Sequence, residues 1–106
     1  MNITELTRKI EVWATDRNLH DGDSKAQMAK LMEEIGELAS GVNKGNKEVV
    51  KDSIGDAYVV LTILAMQQKV DVRNCIEMAY NEIKDRKGKL INGTFVKESD
   101  LQRSDL

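Results

Sequence analysis

Apolar residues recur every three or four positions along most of this chain, which is the spacing of amphipathic helices. The first such segment covers about residues 3–17. Asn2 precedes it and Glu5 follows three residues later, a capping-box pattern that marks a helix start. The predicted inward stripe of this helix consists of Ile3, Leu6, Ile10 and Trp13.

Two longer helices are predicted next. One covers about residues 25–42 with Ser24 as its N-cap, and the other covers about residues 47–69 with Asn46 as its N-cap. Because the turn between them is short, we expect them to be antiparallel neighbours. The predicted inward stripe of the second helix consists of Met28, Leu31, Met32, Ile35, Leu38, Ala39 and Val42.

The third helix is apolar on all sides from Ala57 to Met66, interrupted only by Thr62. A helix that is apolar all round is normally buried all round. Because a small four-helix chain covers such a helix poorly by itself, we expect a second subunit to complete the cover. The predicted assembly is a homodimer or a homotetramer. Its interface is expected to lie beside a groove of acidic residues between the second and third helices.

The fourth helix is predicted from a cap at Asp71 to about residue 87, and Gly88 is expected to end it. Its predicted inward residues are Val72, Cys75, Ile76, Ala79 and Ile83.

The end of the chain has a different pattern. Asn92-Gly93 lies between two apolar pairs, which is a strong signal for a β-hairpin. The sequence therefore predicts an all-α fold, with a four-helix bundle over residues 1–88 and a short hairpin and tail over residues 89–106.

Composition narrows the classes of function. The chain has 106 residues, no proline, one Cys and one His, with 16 Lys and Arg against 18 Asp and Glu. One Cys excludes an internal disulfide, and one His excludes a His-rich metal site. The acidic balance argues against nucleic acid as a partner. The longest apolar run is about half of the roughly 20 residues that span a membrane, and no secretory leader is evident. We therefore expect a cytoplasmic protein with no membrane partner.

Five acidic residues are predicted to converge between the second and third helices. Glu33, Glu34 and Glu37 lie on the former, and Asp52 and Asp56 on the latter. In an antiparallel pair with this turn, Glu37 is level with Asp52 and Glu34 is level with Asp56. Spacing alone leaves two interpretations open, a solvated acidic face or a site for a hard cation such as Mg²⁺ or Mn²⁺.

These residues resemble the signature of the MazG-type all-α nucleoside triphosphate pyrophosphohydrolases, which is E-x-x-E followed by E-x-x-D on the next helix. Glu34 and Glu37 match the first half, and Asp56 matches the final acid of the second. Ser53 stands where the family has its third acid, and Asp52 is expected to take that ligand's place. Two longer segments resemble the short phage-type branch, KLMEEIGELASGVNKGNKEVVKDSIGDAYVVLTILA and NEIKDRKGKLINGTFVKESDL.

The resemblance implies a MazG-like bundle that hydrolyses a nucleotide between its α and β phosphates, with Mg²⁺ as cofactor. Glu34 and Glu37 would then be catalytic, and both would join Asp52 and Asp56 as metal ligands, with Glu33 as a further candidate. Two alternatives stay open: a phosphoribosyl-ATP pyrophosphohydrolase, and a non-catalytic helical interaction module with an acidic groove.

Several side chains are candidates for substrate binding, each with a structural alternative. Lys84 and Lys87 are phosphate contacts or simply a basic helix end. Lys30 contacts phosphate or pairs with Glu34 one turn later. Trp13 stacks on a base or packs in the core. His20 borders the nucleotide or is an ordinary loop residue.

Overall fold

A computed structural model describes residues 1–101, and the predicted tail at residues 102–106 lies outside them. Within the described part the chain is mostly helical, with four α-helices and one two-stranded sheet, as the sequence predicts. The elements are α1 Ile3–Thr15, α2 Ser24–Lys44, α3 Lys47–Gln67, α4 Val72–Ile83, β1 Gly88–Ile91 and β2 Thr94–Lys97. Short 3₁₀ turns occupy Leu19–Asp21 and Glu98–Asp100.

The backbone divides into two compact units, Met1–Asn74 and a second that begins at Cys75. The first unit contains α1 to α3 and the start of α4, and the second contains the rest of α4 and the hairpin. The sequence-based boundary after residue 88 stays a prediction.

Side chains cap the helix starts largely as the sequence predicts. The Asn2 side chain accepts a hydrogen bond from the Glu5 backbone N–H, and the Asn46 side chain accepts one from Val49. At α2 the cap is Asp23, which accepts from Lys25, so the predicted cap at Ser24 is wrong by one residue.

The α1 helix packs through small residues, and its predicted apolar stripe is wrong. Its buried residues are Thr7 and Ala14, whereas Ile3 and Leu6 are exposed. The Thr7 hydroxyl lies 2.6 Å from the Tyr58 hydroxyl of α3 and donates to the Ile3 carbonyl. Short side chains on this face let α1 approach α3 closely enough for that contact.

The α2 and α3 helices pack against each other over most of their length. Leu31, Ala57 and Val60 form a buried cluster, and Gln27 donates to the Val60 carbonyl. A Cβ atom at Gly41 would lie 2.8 Å from the Val49 side chain, so the absence of a side chain at Gly41 leaves room for Val49 near the turn.

Much of the predicted inward stripe of α2 is exposed. Leu31 is buried and Leu38 is half-buried, but the four large apolar residues on the neighbouring flank are exposed: Met28, Met32, Ile35 and Val42. The prediction treated two adjacent faces of one helix as a single buried face.

The all-apolar run of α3 is largely covered within the single chain, whereas the sequence pattern predicted that one chain would cover it poorly. Ala57, Val60, Thr62, Ile63 and Ala65 are buried. Leu61 is exposed, and so is Ile54, which lies two helical turns earlier.

The second unit contains the predicted hairpin. Gly88 pairs with Lys97 and Ile91 pairs with Thr94, while Asn92 and Gly93 form the turn with φ of 51° and 79°. The fourth helix ends at Ile83, earlier than predicted, so Gly88 begins β1 instead of capping a helix. The predicted inward positions from the second unit are instead exposed, namely Cys75, Ile76, Ala79 and Ile83.

No helix among residues 1–101 combines the length and apolar character needed to cross a membrane.

Candidate functional site

The acidic residues of α2 and α3 occupy the sides of the two helices that border their contact. Glu34 and Asp56 are half-buried, whereas Glu33, Glu37 and Asp52 are exposed. Glu34 lies one turn beyond Leu31, which is buried against α3, so its side chain shares the inward side of α2. The helix pair therefore carries two partly buried carboxylates and three exposed ones.

Glu34 has the most unusual environment of the group. Its Oε2 atom is buried and has no hydrogen-bond partner. Desolvation raises the pKa of the Glu34 carboxyl, and the negative charges of Glu37, Asp56 and Asp52 raise it further. Lys30 acts in the opposite direction and lowers it. The negative charges of Glu37, Asp52 and Asp56 thus act on Glu34, while the convergence of the four carboxylates on one ion stays a prediction.

A buried carboxylate oxygen that has no hydrogen-bond donor and is subject to the charges of other carboxylates is unfavourable, and Lys30 offsets this in part. Carboxylates, such as those whose charges act on Glu34, are the donor type that hard divalent cations take. Within residues 1–101, however, no three Asp, Glu, His or Cys side chains are positioned together as a metal-binding group.

Ser53 is almost fully buried, at 1% exposure. The neighbouring Asp52 side chain is exposed, yet its charge acts on Glu34. The carboxylate at position 52 is thus within electrostatic range of the site, while position 53 belongs to the packing of α3.

The candidate phosphate contacts fall in different parts of the chain. Lys30 lies on α2 and influences Glu34, so the structure associates it with the carboxylates. Lys84 and Lys87 are exposed residues of the second unit. Lys87 lines an open cavity of about 470 Å³ whose other charged lining residues are mixed in sign, namely Glu82, Asp85, Arg86, Lys97 and Glu98.

Trp13 is 47% exposed, and its ring is covered on one side by a cation. The Arg17 guanidinium lies 4.4 Å from the ring centroid and donates to the Trp13 carbonyl. Core packing is therefore the wrong interpretation of this residue. The contact of Arg17 with Trp13 was not predicted. It could have been, because residues four apart on a helix are neighbours and arginine favours the face of an aromatic ring.

His20 lies in the 3₁₀ turn after α1, half-buried, with its Nε2 atom 3.5 Å from Asp21 and its Nδ1 atom buried without a partner. The Gln67 amide donates to the Leu19 carbonyl and thereby fixes this turn to the end of α3. Among the contacts of residues 1–101, none links His20 to the acidic residues of α2 and α3.

Comparison with known proteins adds two findings. Residues 23–91, which contain all five acidic residues, match the family described as the MazG nucleotide pyrophosphohydrolase domain. An uncharacterized 18.2 kDa protein from the rep-hol intergenic region of Haemophilus phage HP1 is 52% identical over 71 residues. That similarity covers 66% of this chain and 44% of the phage protein, so the chain spans less than half of its relative's length. No solved structure matches the chain.

Proposed function

Because the chain belongs to the MazG nucleotide pyrophosphohydrolase domain family, we propose that it hydrolyses a nucleoside triphosphate between the α and β phosphates. The products are a nucleoside monophosphate and pyrophosphate. The observation that carries this proposal is the orphaned, buried Oε2 atom of Glu34 among three other carboxylates, inside the region that matches the family.

Glu34, Glu37, Asp52 and Asp56 are the proposed ligands of a divalent cation, Mg²⁺ or alternatively Mn²⁺. When bound, such an ion neutralises phosphate charge and lowers the pKa of a water molecule. The exposed Glu37 and Asp52 side chains can change rotamer to approach Glu34, whose own position is set by packing against α3.

We assign different tasks to the two glutamates. Glu34 is partly buried and has a carboxylate oxygen without a hydrogen-bond donor, so we assign it to binding the divalent cation. Glu37 is exposed and keeps access to water, so it accepts the proton of the attacking water. Glu33 lies on the outer side of the same helix, and we keep it as a further candidate ligand of the cation.

Positive and aromatic side chains supply the proposed substrate contacts. Lys30, which already stabilises the charge of Glu34, attracts the triphosphate. Trp13 offers an exposed aromatic ring for the base, and the half-buried His20 is a further proposed contact. Contact of phosphate with Lys84 and Lys87 stays a prediction from the sequence.

The test is a panel of NTPs and dNTPs in Mg²⁺, with separate detection of pyrophosphate and orthophosphate. We expect pyrophosphate and monophosphate from at least one nucleotide, and loss of both products in Glu37→Gln and Asp56→Asn. Phosphoribosyl-ATP belongs in the panel, because its exclusive hydrolysis would favour that branch. Absence of pyrophosphate from every nucleotide would contradict the proposal and favour a non-catalytic module.

A further inference from the structure

The 3₁₀ turn between α1 and α2 is fixed to the distant end of α3 by one glutamine side chain. Gln67 donates its amide N–H to the Leu19 carbonyl at 3.0 Å, and its Oε1 atom accepts the Ser24 hydroxyl at 3.1 Å. These two bonds span 48 and 43 residues of sequence. Leu19 begins the turn and Ser24 begins α2, so one amide holds the segment between them at both ends.

A second glutamine extends this arrangement into a chain of hydrogen bonds. The Gln68 amide donates to the Ser24 hydroxyl at 2.7 Å, and that same hydroxyl donates to Gln67. The third bond of the chain ends at the Leu19 carbonyl. Hydrogen bonds that are linked in this way strengthen one another. Gln67 is the central member, because removal of its amide breaks two of the three bonds.

The backbone at Gly22 leaves room for the Gln67 amide. A Cβ atom at Gly22 would lie 3.0 Å from the Gln67 Nε2 atom and 3.1 Å from the Leu19 carbonyl oxygen. These are the two atoms that the hydrogen bond joins, so a side chain at position 22 would press on the bond itself. The Gly22 backbone is extended, with φ of −74°, which any residue can adopt. Space for the Gln67 contact is therefore what glycine provides here.

Core packing contributes little to holding the turn in place. None of its three residues, Leu19, His20 and Asp21, is fully buried. The Gly22 backbone N–H donates to the Leu19 carbonyl and shapes the turn from within, whereas Gln67 joins the turn to α3. Segments with few buried contacts open readily unless hydrogen bonds hold them. The position of the half-buried His20 ring therefore depends on the bonds that Gln67 makes.

We propose that Gln67 is a positioning residue for the substrate: by fixing the turn to α3, it holds His20 where the base of the nucleotide binds. This inference rests on the proposed function. Asp56 and Gln67 are about 16 Å apart along α3, so the turn lies far from the proposed cation. Trp13, the proposed contact for the base, lies in the last turn of α1, directly before this segment. A triphosphate on the cation therefore extends its base, the part farthest from the metal, toward His20.

The first experiment needs no nucleotide, so the Gln67 contact and the proposed function can fail separately. Trypsin cleaves after the exposed Arg17, just before the turn, and mass spectrometry identifies the product. We expect this cleavage to be about ten-fold faster in Gln67→Met, because two hydrogen bonds that hold the turn are lost. Gln27→Met is the matched control, since Gln27 is also a half-buried glutamine but donates to the Val60 carbonyl and joins α2 to α3. An unchanged rate in Gln67→Met, or equal acceleration in both variants, would overturn the proposal.

A second variant covers the case in which Gln67→Met does not fold. Gly22→Ala keeps every hydrogen-bonding group but crowds the Gln67 amide away from the Leu19 carbonyl. Cleavage after Arg17 should again be faster than in the wild type. An unchanged rate in Gly22→Ala would contradict the dependence of the turn on this hydrogen bond.

The second experiment asks whether Gln67 acts on the substrate through His20. With a nucleotide of the panel that yields pyrophosphate, we expect Gln67→Met to raise KM about ten-fold and to leave kcat within about two-fold of the wild type. In a His20→Ala background the same substitution should leave KM unchanged, because the contact that Gln67 positions is already absent. Additive effects on KM, or a loss confined to kcat, would refute this role. If no nucleotide is hydrolysed, the role in substrate binding is refuted together with the proposed function, while trypsin cleavage still decides whether Gln67 holds the turn.

Discussion

Glu34 differs from an ordinary surface carboxylate because its ionised form is disfavoured by burial and by neighbouring charges. Without a divalent cation, its replacement by glutamine removes that unfavourable charge. We therefore expect Glu34→Gln to raise the melting temperature at neutral pH in the presence of a chelator. Addition of Mg²⁺ or Mn²⁺ should raise the melting temperature of the wild type and leave that of Glu34→Gln unchanged, as thermal unfolding by circular dichroism can measure.

Glu77→Gln provides the control for this variant, since Glu77 is an exposed glutamate on α4. It should respond to metal as the wild type does. If Glu34→Gln lowers the melting temperature in chelator, or retains the full shift with metal, Glu34 is not the centre of a cation site.

Asp71 stabilises the start of α4 in a pH-dependent way. Its Oδ1 atom accepts the Arg73 backbone N–H at 2.8 Å and lies 3.1 Å from the Arg73 guanidinium, and these bonds lower the pKa of its carboxyl. The unfolded chain therefore binds more protons, so this stabilisation is present above the ordinary pKa of 3.8 and is lost as the pH falls below it.

Asp71→Asn should consequently melt at a lower temperature than the wild type at pH 7, with the difference shrinking in acid. Thermal unfolding from pH 7 to about pH 2.5 checks this, because that range includes the ordinary Asp pKa. Asp85→Asn, at another exposed aspartate, should not show the pattern. A difference between Asp71→Asn and wild type that stays constant over the whole range would contradict the linkage.

At the scale of elements, the hairpin depends on the absence of a side chain at Gly88. A Cβ atom there would collide with the Val96 carbonyl oxygen and lie 2.5 Å from the Phe95 ring. Because the Val96 carbonyl oxygen belongs to the backbone and cannot rotate away, the two strands cannot keep their register with alanine at position 88. We expect Gly88→Ala to abolish the cross-strand nuclear Overhauser contacts between Leu90 and Phe95, which pair directly.

Gly55→Ala is the matched control for that substitution. Nothing lies within 4 Å of a Cβ atom at Gly55, which is in the interior of α3. Alanine should therefore stabilise the helix by about 0.5–1 kcal/mol. Intact Leu90–Phe95 contacts in Gly88→Ala would show that the hairpin tolerates a side chain at this position.

The sequence predicts elements more reliably than it predicts which helix faces are buried. Four helices, the Asn2 and Asn46 caps and the hairpin turn follow from local patterns, because capping and turn chemistry act over a few residues. The prediction that Glu34 and Asp56 lie at the same height on neighbouring helices also rests on a local pattern, because one short turn sets the alignment of the helix pair. Burial depends on distant packing, and for that reason the stripes of α1 and α4 were misassigned.

At the scale of the whole molecule, the chain has little apolar interior. Within residues 1–101, the buried apolar side chains are Ala14, Leu31, Ala57, Val60, Ile63, Ala65 and Val72, of which three are alanines. A core of this size provides limited stability to a chain of about 100 residues. We therefore expect association of two copies through exposed apolar residues of α2, such as Met32 and Ile35, to contribute a large part of the free energy of unfolding.

Coupling of unfolding to dissociation makes the melting temperature depend on protein concentration. The wild-type melting temperature should rise steadily over a hundred-fold range of concentration. Replacing both Met32 and Ile35 by glutamate should give a chain that melts at a lower temperature, independent of its concentration. Met78→Glu, at an exposed residue of α4, should follow the wild type. Calorimetric scans across that range provide the measurement. A concentration-independent wild-type transition would mean that the small interior of one chain supports the fold by itself, because a dimer that dissociates on unfolding cannot avoid the dependence.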